Sequence, residues 1–190
     1  MKDAELGMIS LKDYIRMQRK QIRVRLVTPY GRTKDTFNVI KFTKANVEAL
    51  INEDVKCGFY RIGVVALHYD SNTQTTSLEF RVCYFGRSDA NDYSLRDRIC
   101  DHLFEEGNPH ELHVYDSKLF FVAWSCYNTN EARKMEMDDY NTFFTAPNVR
   151  RTGYGYSGNP EDSHDARKVR ENDLCPIPCR VYVDNINQPT

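Results

Sequence analysis

What the chain lacks narrows the field first. No apolar run in its 190 residues approaches the roughly 20 that a membrane-spanning helix needs. The opening stretch, MKDAELGMISLKDYIRMQRK, has neither an apolar centre nor a small-residue cleavage site, so neither signal peptide nor anchor is expected and the protein is expected in the cytoplasm, off the membrane. There is no GxxxxGK[ST] loop, no dinucleotide-binding glycine fingerprint, no internal repeat and no low-complexity tract. The six cysteines do not form a disulfide framework: Cys57, Cys83, Cys100 and Cys126 sit singly inside apolar or periodic segments, where a thiol packs as a small hydrophobe. Cys175 and Cys179 are spaced C-x3-C, but the second ligand pair of a zinc site is missing. A composition of 41% hydrophobic and 28% charged residues then describes an ordinary globular chain, long enough for one core.

The charge is small in total and uneven in place. The net charge is -1, yet residues 10–44 carry ten Lys or Arg against only Asp13 and Asp35. Such a block is either a solvated face or the footprint of contacts to a phosphate backbone. Gln21 to Val27 alternates Ile22, Val24 and Leu26 with Arg23 and Arg25, the pattern of a strand with one apolar and one basic face.

Thr43 is a candidate N-cap for a helix ending near Leu50. Cys57–Tyr69 and Ser77–Gly86 are rich in β-branched and aromatic residues and flank a polar turn, which predicts an antiparallel hairpin. Ser94, with Asp97 three residues on, predicts a helix over Leu95–Phe104 that turns Leu95, Ile99 and Leu103 inward. His110–Tyr115 and Lys118–Trp124 are strand candidates. Thr129 or Asn130 is expected to cap a helix running to about Phe143, with Asp138 and Asp139 on its exposed side. The order predicts an α+β fold, a small antiparallel or mixed β-sheet flanked by helices, with residues 57–149 as core, 1–56 as a basic N-terminal extension and 150–190 as a C-terminal extension of the same domain.

Within that layout Gly58-Phe59-Tyr60 and Tyr84-Phe85-Gly86 are followed by Arg98, Glu136 and Asn148: two phenols, a cation, a carboxylate and an amide. Those residue types suit hydrolysis of a phosphodiester. The five elements in this order resemble the GIY-YIG nuclease superfamily, with phenylalanine in place of isoleucine in both tripeptides and a longer gap between them. His102, four residues after Arg98, resembles the pattern of the superfamily's type II restriction branch.

The resemblance implies a GIY-YIG core and a sequence-specific DNA endonuclease using one Mg²⁺ (or Mn²⁺) per active site, held by Glu136. It implies Tyr60 as general base, assisted by His102, with Arg98 stabilising charge on the phosphoryl oxygens, Tyr84 orienting phosphate or water, and Asn148 holding the site. Arg23, Arg25, Arg87, Arg150 and Arg151 are the expected DNA contacts, with Asn159 and Lys168 as further candidates for base edges. The expected partner is double-stranded DNA, bound by a homodimer. A phage or mobile-element nicking enzyme is the alternative within enzymes, and a catalytically inactive DNA-binding or structural protein the alternative outside them.

Overall fold

The computed structural model describes residues 16–27, 36–89, 93–103, 112–113, 120–143, 167–168 and 178–183. Its strands are β1 (Ile22–Val27), β2 (Thr36–Lys41), β3 (Gly58–Asp70), β4 (Thr75–Ser88), β5 (Leu112–His113), β6 (Phe120–Cys126), β7 (Arg167–Lys168) and β8 (Pro178–Val183). Among the described residues the helices α1 (Lys44–Leu50), α2 (Leu95–Cys100) and α3 (Thr129–Phe143) join them.

Six strands close into a barrel in the order β1-β2-β6-β3-β4-β8, every neighbouring pair antiparallel. This overturns the expected α+β fold, a small sheet flanked by helices, and with it the expected GIY-YIG core. The cause lies in two stretches not read as strands. Thr36–Lys41 buries Phe37 and Val39 on one face, and Pro178–Val183 buries Cys179 and Val181. Each pairs with β1, so the apolar face of Ile22, Val24 and Leu26 meets Phe59, Phe80 and Phe121 inside a closed ring. Closure leaves no strand of the ring with an unpaired edge. The barrel draws strands from residues 1–56, 57–149 and 150–190 alike. Beyond the ring, β5 and β7 pair in parallel.

A second cluster lies outside the ring, where α1 and α2 cover it. Val47 and Ile51 from the first helix and Leu95, Ile99 and Leu103 from around the second pack on Ile40, Tyr60, Ile62, Tyr84, Val122 and Trp124. The alternation of β3 therefore sorts its side chains: Phe59 goes in, Tyr60 and Ile62 go out.

The local signals behind the helices are visible. Thr43 accepts a hydrogen bond from the Asn46 amide at 3.2 Å, as expected of a cap. Ser94 and Asp97 form a capping box, which fixes the start of α2 at Leu95. The helix ends at Cys100 rather than Phe104, and His102 sits in the turn that follows, its amide donating to the Ile99 carbonyl. For α3 the cap is Asn128, not Thr129 or Asn130: Asn128 Oδ1 accepts from the Glu131 amide at 2.9 Å while Glu131 Oε2 accepts from the Asn128 amide. Among the described residues no helix is long and apolar enough to cross a membrane.

Candidate functional site

Two backbone features of the β3–β4 ribbon present the phenols. Tyr60 pairs with Gly86 across the ribbon and Ile62 with Tyr84, but Gly63 pairs with Val82, so Cys83 is an extra residue in β4. Before it the even-numbered Leu78, Phe80 and Val82 face the interior; after it Phe85 does, and Tyr84 turns outward beside Tyr60. Without that bulge Tyr84 would share the inward face of Val82.

The tripeptide glycines have steric reasons. A Cβ on Gly86 would lie 2.6 Å from Tyr60 Oη and 2.9 Å from its Cζ, so only glycine leaves the phenol its place. A Cβ on Gly58 would lie 2.7 Å from both Leu95 Cδ2 and the Ser125 carbonyl oxygen, so this glycine lets α2 approach the sheet.

His102 completes the group. Its Nε2 stands 2.7 Å from Tyr60 Oη, a hydrogen bond that the tautomer with a bare Nε2 accepts from the phenol. The imidazole centroid is 4.5 Å from the Tyr84 ring and 5.6 Å from the Tyr60 ring, and the two tyrosine rings are 6.1 Å apart. Tyr60 is fully buried and Tyr84 and His102 nearly so. Burial raises the Tyr60 pKa well above its usual value, Tyr84 and Glu136 add to the shift, and Arg98 opposes it. Arg98 is held above its usual value, chiefly by Tyr60, with its own burial opposing and Tyr84 and Asp101 assisting.

Glu136 comes from α3, where Ala132, Glu136 and Asp139 form one buried stripe. Its Oε2 accepts from Arg87 Nε at 2.5 Å, and Arg87 also pairs with Asp89, which in turn meets Arg133 at 3.3 Å. Burial raises the Glu136 pKa, Arg87 and Arg98 lower it, and the net shift is upward. Burial works against the Arg87 charge, but Glu136 and Asp89 outweigh it.

No group of three or more His, Cys, Asp or Glu among the described residues could cage a metal. One carboxylate suffices for Mg²⁺, which keeps most of its water shell. Glu136 fits that role by geometry: it is buried, and only its Oε2 accepts a hydrogen bond from the described residues.

Of the predicted residues, Tyr84, Arg98 and Glu136 each act electrostatically on Tyr60, Tyr60 is hydrogen-bonded to His102, and Arg98 acts on Glu136. Arg87 is engaged with Glu136 and Asp89. Asn148, Arg150, Arg151 and Asn159 lie outside the described residues, as does the Lys168 side chain. Arg23 and Arg25 are not brought to the site: they point outward from β1, which stands three strands from β3 either way around the six-stranded ring.

One pair went unread in the sequence. Arg61 is fully buried, its Nε and Nη2 each 2.5 Å from a carboxylate oxygen of Asp139, with its guanidinium carbon 4.8 Å from the Phe37 ring centroid. Burial disfavours the Arg61 charge, yet Asp139 more than offsets it and the pKa is raised. This corrects the expectation that Asp139 is exposed. The available signal was its spacing from Ala132 and Glu136 along one helical stripe. The pair ties α3 to β3, with Asp139 three residues from Glu136.

No protein-family model, curated protein or solved structure matches the chain, so the reading of this site rests on its own residues.

Proposed function

We propose that the chain is an Mg²⁺-dependent, sequence-specific DNA endonuclease of restriction-enzyme character, whose catalytic residues follow the order of the GIY-YIG nucleases but stand on the outer wall of a barrel. The observation that carries the reading is the Tyr60–His102 hydrogen bond, set against Tyr84 and within the field of Arg98 and Glu136. Residues 76 apart in the chain supply one phenol–imidazole pair, one cation and one carboxylate.

A phenol whose pKa is pushed up is a poor base alone. Tyr60 therefore works as a relay: Oη takes a proton from the attacking water as its own proton passes to His102 Nε2, so the pair accepts one proton in all. The water oxygen bonds to phosphorus, the ester oxygen departs with its electron pair, and solvent protonates it. Arg98, whose charge acts on both phenols, stabilises negative charge on the phosphoryl oxygens. A Mg²⁺ on Glu136 would add Lewis-acid stabilisation of that charge. Because Tyr60 is fully covered in the free protein, DNA must part its cover on binding.

One such site cuts one strand, so double-strand cleavage calls for a homodimer on DNA related by a two-fold axis. Supercoiled plasmid incubated with Mg²⁺ tests the reading: wild type linearises it, and Glu136→Ala leaves it supercoiled while still retarding a DNA duplex in a gel. Mg²⁺-dependent cutting by Glu136→Ala would remove Glu136 from the site.

A further inference from the structure

The ring order separates the outward residues of β1 from the phenols. From β1 to β3 the path is β2 and β6 one way and β8 and β4 the other, so the two strands stand on opposite walls. Tyr60 points away from the barrel axis on one wall, since its neighbour Phe59 lies in the interior cluster. Arg23 and Arg25 alternate with the interior Ile22, Val24 and Leu26 and so point away from the axis on the other wall.

The wall around them is basic. On β8, Arg180 and Tyr182 alternate with the interior Cys179 and Val181 and also face outward. The register sets Tyr182 directly beside Arg25, and Arg180 beside Val27. On the other side Asn38 pairs with Arg23 and Thr36 with Arg25. Three arginines, a tyrosine, an asparagine and a threonine thus line one face, and no outward position of β1, β2 or β8 whose side chain is described holds a carboxylate; the carboxylate at its β4 margin, Glu79 beside Arg180, is shared with Arg81 at 3.6 Å. Arg25 Nε is buried with no hydrogen-bond partner among the described residues. Neighbouring strands lie ~4.8 Å apart and alternate residues ~6.8 Å apart, so the charges from Arg23 to Arg180, level with Val27, extend over about 14 Å. Arginine forks, an aromatic face and amide donors are the groups that hold a phosphate backbone.

We infer that the outer face of β8–β1–β2 is a second binding surface for double-stranded DNA, distinct from the catalytic wall. It rests on the DNA-cleaving reading for its choice of polyanion. A straight duplex lying on the catalytic wall has the whole barrel between it and Arg23, Arg25 and Arg180. The face therefore holds another segment of DNA, and the protein bridges the two.

A bridging assay tests this with the full chain carrying Glu136→Gln to prevent cutting. One duplex is fixed to beads, and a second, fluorescent duplex is captured only where protein joins them. Arg23→Gln/Arg25→Gln/Arg180→Gln should lower capture by about tenfold or more and reduce the slope of log capture against log salt by roughly 2 to 3. The same three changes in the active protein should leave single-turnover cleavage of a short one-site duplex within about threefold of wild type.

Parallel loss of short-duplex cleavage would overturn the inference, placing the face on the catalytic DNA track. Unchanged capture would also overturn it, since bridging would then come from paired catalytic walls. Preferential displacement of the fluorescent duplex from this face by RNA or polyglutamate would give it to another partner. Arg180→Gln alone keeps the test open if the triple variant unfolds. Failure of the nuclease reading shows separately, as absence of cutting by the wild type while capture still reports this face.

Discussion

At the scale of single residues, the account turns on buried polar groups whose partners are visible. Tyr60→Phe keeps the ring and removes the bond to His102, which should cost about 1–2 kcal/mol near neutral pH. Because the folded phenol has a raised pKa, its contribution is fully present below the ordinary tyrosine value of about 10 and is lost as pH rises through the folded value. Urea denaturation between neutral and strongly alkaline pH should therefore show wild type losing its advantage over Tyr60→Phe; a constant gap would mean the phenol is not held protonated. Asp139→Asn strips the buried Arg61 of its counter-charge and should cost about 3–5 kcal/mol, whereas Arg61→Met with Asp139→Leu should recover much of it. Equal losses in the single and double variants would show that the pair does not act as a unit. The identities of Tyr60, Tyr84, Arg98, His102 and Glu136 were legible because their order and spacing are a property of the sequence. The Arg61–Asp139 pair was not, since one partner hides in an alternating strand and the other in a helix of mixed polarity.

Between residues and fold stand the elements, and here glycine and a bulge set the geometry. Gly86→Ala places a methyl where Tyr60 Oη lies, so the phenol must move off His102. Cleavage should fall by about a hundredfold or more, as misplaced catalytic groups typically cost. The ribbon's pairing has no need of that phenol position, so the melting temperature should fall only a few degrees. A variant with normal cleavage would show that Tyr60 need not stand where it does. Helix starts were readable from Thr43 and from Ser94 with Asp97, because caps are local chemistry. The end of α2 at Cys100 was not: the turn carrying His102 is held by the phenols and by its own backbone bonds, which no local pattern announces. The bulge at Cys83 was equally hidden, though it alone decides that Tyr84 joins Tyr60.

On the scale of the whole molecule, closure of the barrel was the step the sequence concealed. Each of Thr36–Lys41 and Pro178–Val183 is a short run with modest alternation, and their value appears only when β1 lies between them. Pairing residues so distant in sequence is a tertiary outcome that local propensity does not dictate. Closure also explains why one chain carries the buried Tyr60–His102 group on one wall and Arg23, Arg25 and Arg180 on the other. The central claim is that Tyr60 and His102 form one proton-accepting unit of a phosphodiesterase. Single-turnover cleavage of one duplex by wild type, Tyr60→Phe, His102→Gln and the double variant tests it most directly. The account predicts that each single change removes roughly a hundredfold or more of the rate and that the double variant is no slower than the worse single one, as residues acting as a unit behave. Single variants that cut at the wild-type rate, or losses that multiply in the double variant, would contradict it.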